Sequence, residues 1–151
     1  MKVWDIRQTQ RPVHKVGDTE FEAGVTALSS HPSLDNIFAA GSYDEHVRLY
    51  DYRKLDKPLS KIFAGGGVWR IKWHPYCCQK VLVAAMHGGC FVIDFPLLNG
   101  NGTDANIVSK FTAHESMAYG VDWIAFGSPE LEAAGSCSFY DRKAFIWDTY
   151  S

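Results

Sequence analysis

The stretch Gly41-Ser42-Tyr43-Asp44-Glu45-His46-Val47-Arg48-Leu49-Tyr50-Asp51 constrains the fold more than any other part of the chain. Small residues lead into Tyr43-Asp44, a turn signal, because a short acidic side chain bonds to nearby backbone amides. Val47 and Leu49 then alternate with Arg48 and Tyr50, the period of a half-buried strand. The strand ends in an aromatic followed by Asp. The pattern recurs at Phe139-Tyr140-Asp141, followed by Ala144-Phe145-Ile146-Trp147-Asp148. Six residues separate Asp44 from Tyr50 and again Asp141 from Trp147.

Weaker copies of the ending stand at Lys2-Val3-Trp4-Asp5 and Cys90-Phe91-Val92-Ile93-Asp94. The four terminal aspartates, Asp5, Asp51, Asp94 and Asp148, recur at intervals near the roughly 40–45 residues of a WD repeat. The last interval is lengthened by an Asn-Gly-Asn-Gly loop within 97–106. Gly24 to Pro32 also aligns with Gly67 to Pro75, both closing in His-Pro. The expected fold is all-β: part of a WD40 β-propeller with about three blades, at 24–63, 67–111 and 114–151. Residues 1–7 read as the last strand of a preceding blade. Propellers have about four to eight blades. Missing N-terminal blades are therefore expected to close the ring, and a three-blade arc alone exposes two apolar faces.

The 151 residues are 46% apolar and 14% aromatic, enough for a core, with a net charge of −2. That charge gives no general pull toward nucleic acid or acidic membranes. No apolar run is long enough to span a bilayer, and the first residues lack the apolar stretch of a signal peptide. The chain reads as intracellular, with the cytoplasm as the expected location. The four cysteines and six histidines lack zinc-ligand spacing. No metal is expected.

Several positions invite chemistry. His114, Asp141 and Trp147, with Ser136 or Ser138, stand where a WD repeat builds its structural hydrogen-bond network, and Asp44 holds the corresponding turn in the first blade. Tyr50 and Trp147 read as wedges between blades. A histidine, serine and aspartate also spell a catalytic triad, but WD scaffolds without activity carry the same set. His31 and His74 read as turn residues rather than bases. Arg70 and Lys72 stand out because inner propeller strands are usually apolar or small. Arg70 follows Gly65-Gly66-Gly67-Val68-Trp69, and a cation there can hold a carboxylate or phosphate of a partner or form an inter-blade ion pair. There is no nucleophile elbow, phosphate loop or zinc helix.

The stretches Gly66 to Pro75, His114 to Trp123 and Cys137-Ser138-Phe139-Tyr140-Asp141, with Gly41 to Leu49, resemble one family. It is the WD-repeat diphthine methyl ester hydrolase of diphthamide biosynthesis, matched over its C-terminal blades. The resemblance implies a carboxylic ester hydrolase with no cofactor. The implied partner is translation elongation factor 2, whose modified histidine carries a methyl ester and a trimethylammonium group. Ester hydrolysis needs an activated nucleophile, a proton acceptor and donors to the oxyanion. The candidates are His87 as base, Ser42 or Ser138 as nucleophile, and Arg70 or the Gly65 to Gly67 amides as donors. Trp69, Tyr119 and Phe139 are candidates to face the trimethylammonium through cation–π contacts. The competing reading is a non-catalytic WD40 scaffold for protein interaction.

Overall fold

The computed structural model describes residues 1–16, 20–100, 102, 104–125 and 132–149. The expected loop at 97–106 and the blade at 114–151 therefore fall partly outside the described residues. Three antiparallel sheets follow one another along the chain. The first comprises β3 (Val25–Ser30), β4 (Ile37–Ser42), β5 (His46–Asp51) and β6 (Ser60–Phe63), in chain order. The second repeats the order with β7 (Arg70–Trp73), β8 (Lys80–Ala84), β9 (Cys90–Asp94) and β10 (Asn106–Phe111). The third has β11 (Gly120–Ala125), β12 (Glu132–Ser138) and β13 (Lys143–Asp148). The first strands of the sheets approach each other, β7 touching both β3 and β11. These are consecutive propeller blades, with β3, β7 and β11 innermost.

The core lies between the blades. Val47, Leu49 and Ala39 of the first blade meet Ile71, Val81 and Phe91 of the second. Leu82, Val92 and Cys90 of the second meet Val121, Ala134 and Trp147 of the third. The middle of the first blade is buried on both faces: every residue of β4 is buried. This explains the Ala-Ala-Gly-Ser composition of β4, since only small side chains fit between two closely stacked neighbours. At Gly41, an added Cβ would lie 2.3 Å from Val68.

Tyr50 is fully buried and stacks on Phe38 at 5.3 Å. Burial pushes its phenol up to about 12. Trp147 is buried and lies parallel to Phe111 of the second blade at 5.1 Å. Trp73 and Trp123 each reach back to the preceding blade, donating to the carbonyls of Ser29 and Lys72.

At the start of the chain the structure differs from the expectation. Lys2–Val3 (β1) is not the last strand of its half-blade, because it pairs with His14–Lys15 (β2). The register repeats that of β5 and β6: Val3 opposes His14 as Leu49 opposes Ser60, and Lys2 opposes Lys15 as Arg48 opposes Lys61. The turns match as well. Arg7 clasps Asp5 as Arg53 clasps Asp51. The Arg53 guanidinium and amide hold the Asp51 carboxyl down at about 2. Residues 1–16 are thus the outer half of a blade.

Candidate functional site

The third blade is tied together by a closed chain of hydrogen bonds. Trp147 Nε1 donates to Ser136 Oγ at 3.2 Å, and Ser136 Oγ lies 2.9 Å from His114 Nε2. His114 Nδ1 lies 2.9 Å from Asp141 Oδ2. Asp141 also accepts from the amides of Glu115 and Lys143. One tautomer satisfies every group: indole to hydroxyl, hydroxyl to Nε2, Nδ1–H to carboxylate. Burial works against the Asp141 charge, but the Lys143 amide and His114 outweigh it, and its carboxyl is held low. The histidine and aspartate side chains are about 1% exposed and Ser136 is buried. No substrate reaches this serine, so the triad-like set works as a brace.

The first blade uses other residues for the same task. Asp44 accepts from the Glu22 and His46 amides and from both terminal nitrogens of Arg48. Arg48 is fully buried, bonds Glu20, and lies 4.5 Å from the Phe21 ring centre. The second blade has no acid at this turn. Gly66 and Gly88 instead bring backbone against backbone: a Cβ on Gly66 would sit 2.2 Å from the Ala85 carbonyl.

Gly66 and Gly88 are small because the protein's own backbone occupies the space a side chain would need. The expectation for Ser42 is corrected. It is fully buried, and its hydroxyl lies 3.1 Å from the Ala23 and Gly24 carbonyls while accepting from the Asp44 amide. A nucleophile needs access and a neighbouring base, and Ser42 has neither among the described residues. Ser138, at the equivalent end of β12, is also buried, with no hydrogen-bond partner for its hydroxyl among the described residues.

The exposed candidates gather at one end of the blades. Trp69 lies 5.9 Å from Tyr43 of the first blade and 5.5 Å, edge-on, from Tyr119 of the third. Tyr119 continues to Tyr140 at 6.0 Å, and Tyr140 to Phe139 at 5.3 Å. The result is an unbroken aromatic row across three blades, with Phe139 78% exposed at its end. His87 is exposed in the β8–β9 turn. The preceding residue, Met86, accepts from the Ala118 amide, which puts His87 at the same end as Tyr119.

Arg70 follows Trp69 on the inner strand β7 and is exposed. No hydrogen bond or ion pair engages its guanidinium among the described residues. Its neighbour Lys72 does form an inter-blade pair, with Asp122 at 2.9 Å. The two inner-strand cations therefore differ. Arg70 borders a cleft of about 540 Å³ against β3, lined by Thr26, Leu28, Ser29 and Trp69. Among the described residues no hydrogen bond joins Arg70, His87, Ser42 and Ser138 to one another.

Sequence reasoning missed Tyr43 and Tyr140 as members of the row. The signal was their shared place directly before Asp44 and Asp141. It also missed Arg48 as the first blade's brace, because alternation on a strand reads a lone arginine as solvent-facing.

No protein-family model matches the chain. It is 35% identical to the diphthine methyltransferase homolog of Dictyostelium discoideum, over 97% of this chain and 43% of that protein. It is 38% identical to the diphthine methyltransferase of Homo sapiens, over 77% of this chain and 26% of that protein. The diphthine methyltransferase of Schizosaccharomyces pombe is 33% identical over 83% of this chain and 37% of its own length. The chain thus spans less than half the length of these relatives.

Proposed function

We propose, from the premise that this chain belongs to the diphthine methyltransferase family, that it forms part of an enzyme of diphthamide biosynthesis. The reaction is hydrolysis of the methyl ester of methylated diphthine on translation elongation factor 2. Water adds to the ester carbonyl, methanol leaves, and the carboxylate of diphthine remains. The observation that supports this reading best is the unengaged Arg70 beside an aromatic row open to a protein-sized substrate.

Each part of the row has a role in this reading. Trp69, Tyr119 and Phe139 face the trimethylammonium of the modified histidine, each contact worth roughly 0.5–2 kcal/mol. Arg70 stabilises the oxyanion that forms on the carbonyl. His87 takes the proton from the attacking water. Water is the nucleophile of choice here because both candidate serines are buried.

The test is an intact-mass measurement. The full-length protein is mixed with elongation factor 2 carrying methylated diphthine, and loss of about one methylene mass is expected. Binding with unchanged mass would overturn the hydrolase reading and favour a non-catalytic scaffold, which the buried brace of the third blade also suits.

A further inference from the structure

Arg70 is the first residue of β7 and directly follows Trp69. With Trp69 it lines the cleft against β3. It also borders the space beside Gly120, the residue after Tyr119. Asp122 borders that second space, but its carboxylate is taken by Lys72 at 2.9 Å. The acid closest to hand is therefore spent elsewhere, and the Arg70 guanidinium keeps its donors for a ligand that brings an anion. The rings beside it suit a cation. The Trp69 and Tyr119 planes stand at 81° and the Trp69 and Tyr43 planes at 58°, so the rings form corners rather than a flat stack. A corner meets a quaternary ammonium from two sides.

We propose that Arg70 and the rings around Trp69 form one site for a zwitterion, a quaternary ammonium joined to a carboxylate, and that the product of ester hydrolysis occupies it and inhibits the enzyme. The identity of the product rests on the hydrolase reading, whereas the site rests on the geometry. Hydrolysis changes the charge that Arg70 meets. The methyl ester offers a neutral carbonyl oxygen. The carboxylate left behind carries a full negative charge on two oxygens and takes two parallel N–H bonds from one guanidinium. The trimethylammonium is the same before and after, so the rings hold substrate and product alike. Arg70 distinguishes the two, in favour of the product. The group that stabilises the oxyanion thus also retains the carboxylate, and accumulated product slows the enzyme.

The probes are glycine betaine, which joins both charges in one small molecule, choline, which has the cation alone, and acetate, which has the anion alone. Each is titrated into the full-length protein while nuclear magnetic resonance follows the Trp69 indole. Betaine should bind at least about tenfold more tightly than either, because charge-assisted bonds add to the ring contacts. It should also inhibit hydrolysis in competition with elongation factor 2 carrying methylated diphthine. Arg70→Met should bring betaine down to the level of choline. Choline binding should be unchanged in that variant, which shows that the rings and the fold are intact. Betaine bound no better than choline, or a betaine preference that survives Arg70→Met, would overturn the inference. Hydrolysis without a betaine preference would overturn it and leave the hydrolase reading standing. An Arg70-dependent betaine preference in a protein that leaves the methyl ester intact would sustain the zwitterion site and overturn its assignment to a hydrolysis product, together with the hydrolase reading.

Discussion

His74 Nε2 lies 2.7 Å from Glu132 Oε2 across the boundary between the second and third blades, and both side chains are nearly sealed from solvent. The other ring nitrogen, Nδ1, accepts from the amides of Tyr76 and Cys77. His74 is therefore neutral, with its proton on Nε2 and donated to the carboxylate. Lys80 and Thr149 also bond Glu132, and the Trp123 ring stands edge-on to the imidazole at 4.5 Å. His31 repeats the device one blade earlier. Its Nδ1 accepts from Ser33 and Leu34, its Nε2 meets the Cys78 carbonyl, and Trp73 stands edge-on at 4.5 Å. The two His-Pro turns of the sequence are clasps between neighbouring blades.

The His74 clasp makes stability depend on pH. Burial lowers the His74 pKa, and the pull of Glu132 the other way does not restore it. The unfolded chain therefore binds the proton more readily than the folded one. Stability from this site is complete above the unfolded value of about 6.5, falls as pH drops toward the folded value, and levels off below it. One proton limits the slope to about 1.4 kcal/mol per pH unit. Denaturant melts between about pH 5 and 8 should show the decline in the parent protein and a shallower one in His74→Gln. Equal slopes would mean that another group carries the effect.

Trp147 joins two blades by its stacked area and braces its own blade by one hydrogen bond. It stacks on Phe111 and donates to Ser136. Trp147→Ala should cost about 3–5 kcal/mol, as large buried aromatics do. Trp147→Phe keeps the stack and loses the N–H, so about 1 kcal/mol is expected. A loss below about 1 kcal/mol for the alanine variant, measured by reversible unfolding, would rule out the wedge.

Arg48 supports a stronger prediction than its place on an alternating strand suggests. Its guanidinium is buried between Asp44, itself 4% exposed, and Glu20. Arg48→Met preserves the packing of the stem and leaves Asp44 without its cation. Breaking one side of a buried pair costs about 3–5 kcal/mol. Asp44→Asn in the same background should recover part of that loss, because the stranded charge is then gone. Without recovery, the cost would lie in packing rather than charge.

Arg48 and Ser42 mark where sequence reasoning stopped. Alternation and the aromatic-Asp endings located the strands, because burial on a sheet face has a period of two whatever lies across from it. The endings also identified Asp141 and Trp147 as parts of a brace, since their spacing follows from one turn and one strand, and His114 joined them by its place in the WD-repeat pattern. What lies across an inter-blade gap has no spacing to read. Ser42 looks like an accessible hydroxyl until the Ala23 and Gly24 carbonyls close over it. Gly66, in the run Gly65-Gly66-Gly67, looks open to a ligand until the Ala85 and Gly88 backbone fills the space beside it. The aromatic row likewise joins Tyr43, Trp69 and Tyr119, which stand in three different blades and meet only when the blades stack.

Arg70 separates the enzymatic reading from the structural one. Lys72, two residues on, spends its charge on Asp122, whereas no hydrogen bond or ion pair engages Arg70 among the described residues, so removing its charge breaks no contact of the fold. Arg70→Met keeps most of the stem and should leave the melting temperature within about a degree, as surface changes away from buried networks do. In the hydrolase reading the ester carbonyl gains charge only as water adds, so a fixed cation stabilises the transition state more than the substrate. The full-length protein carrying Arg70→Met should therefore lose about a hundredfold in turnover, as for one oxyanion donor, with little change in KM. Lys72→Met supplies the contrast: it cuts an inter-blade ion pair and should lower the melting temperature while turnover by the folded protein stays near normal. Normal turnover in Arg70→Met would remove Arg70 from the site and return it to the role of a surface cation.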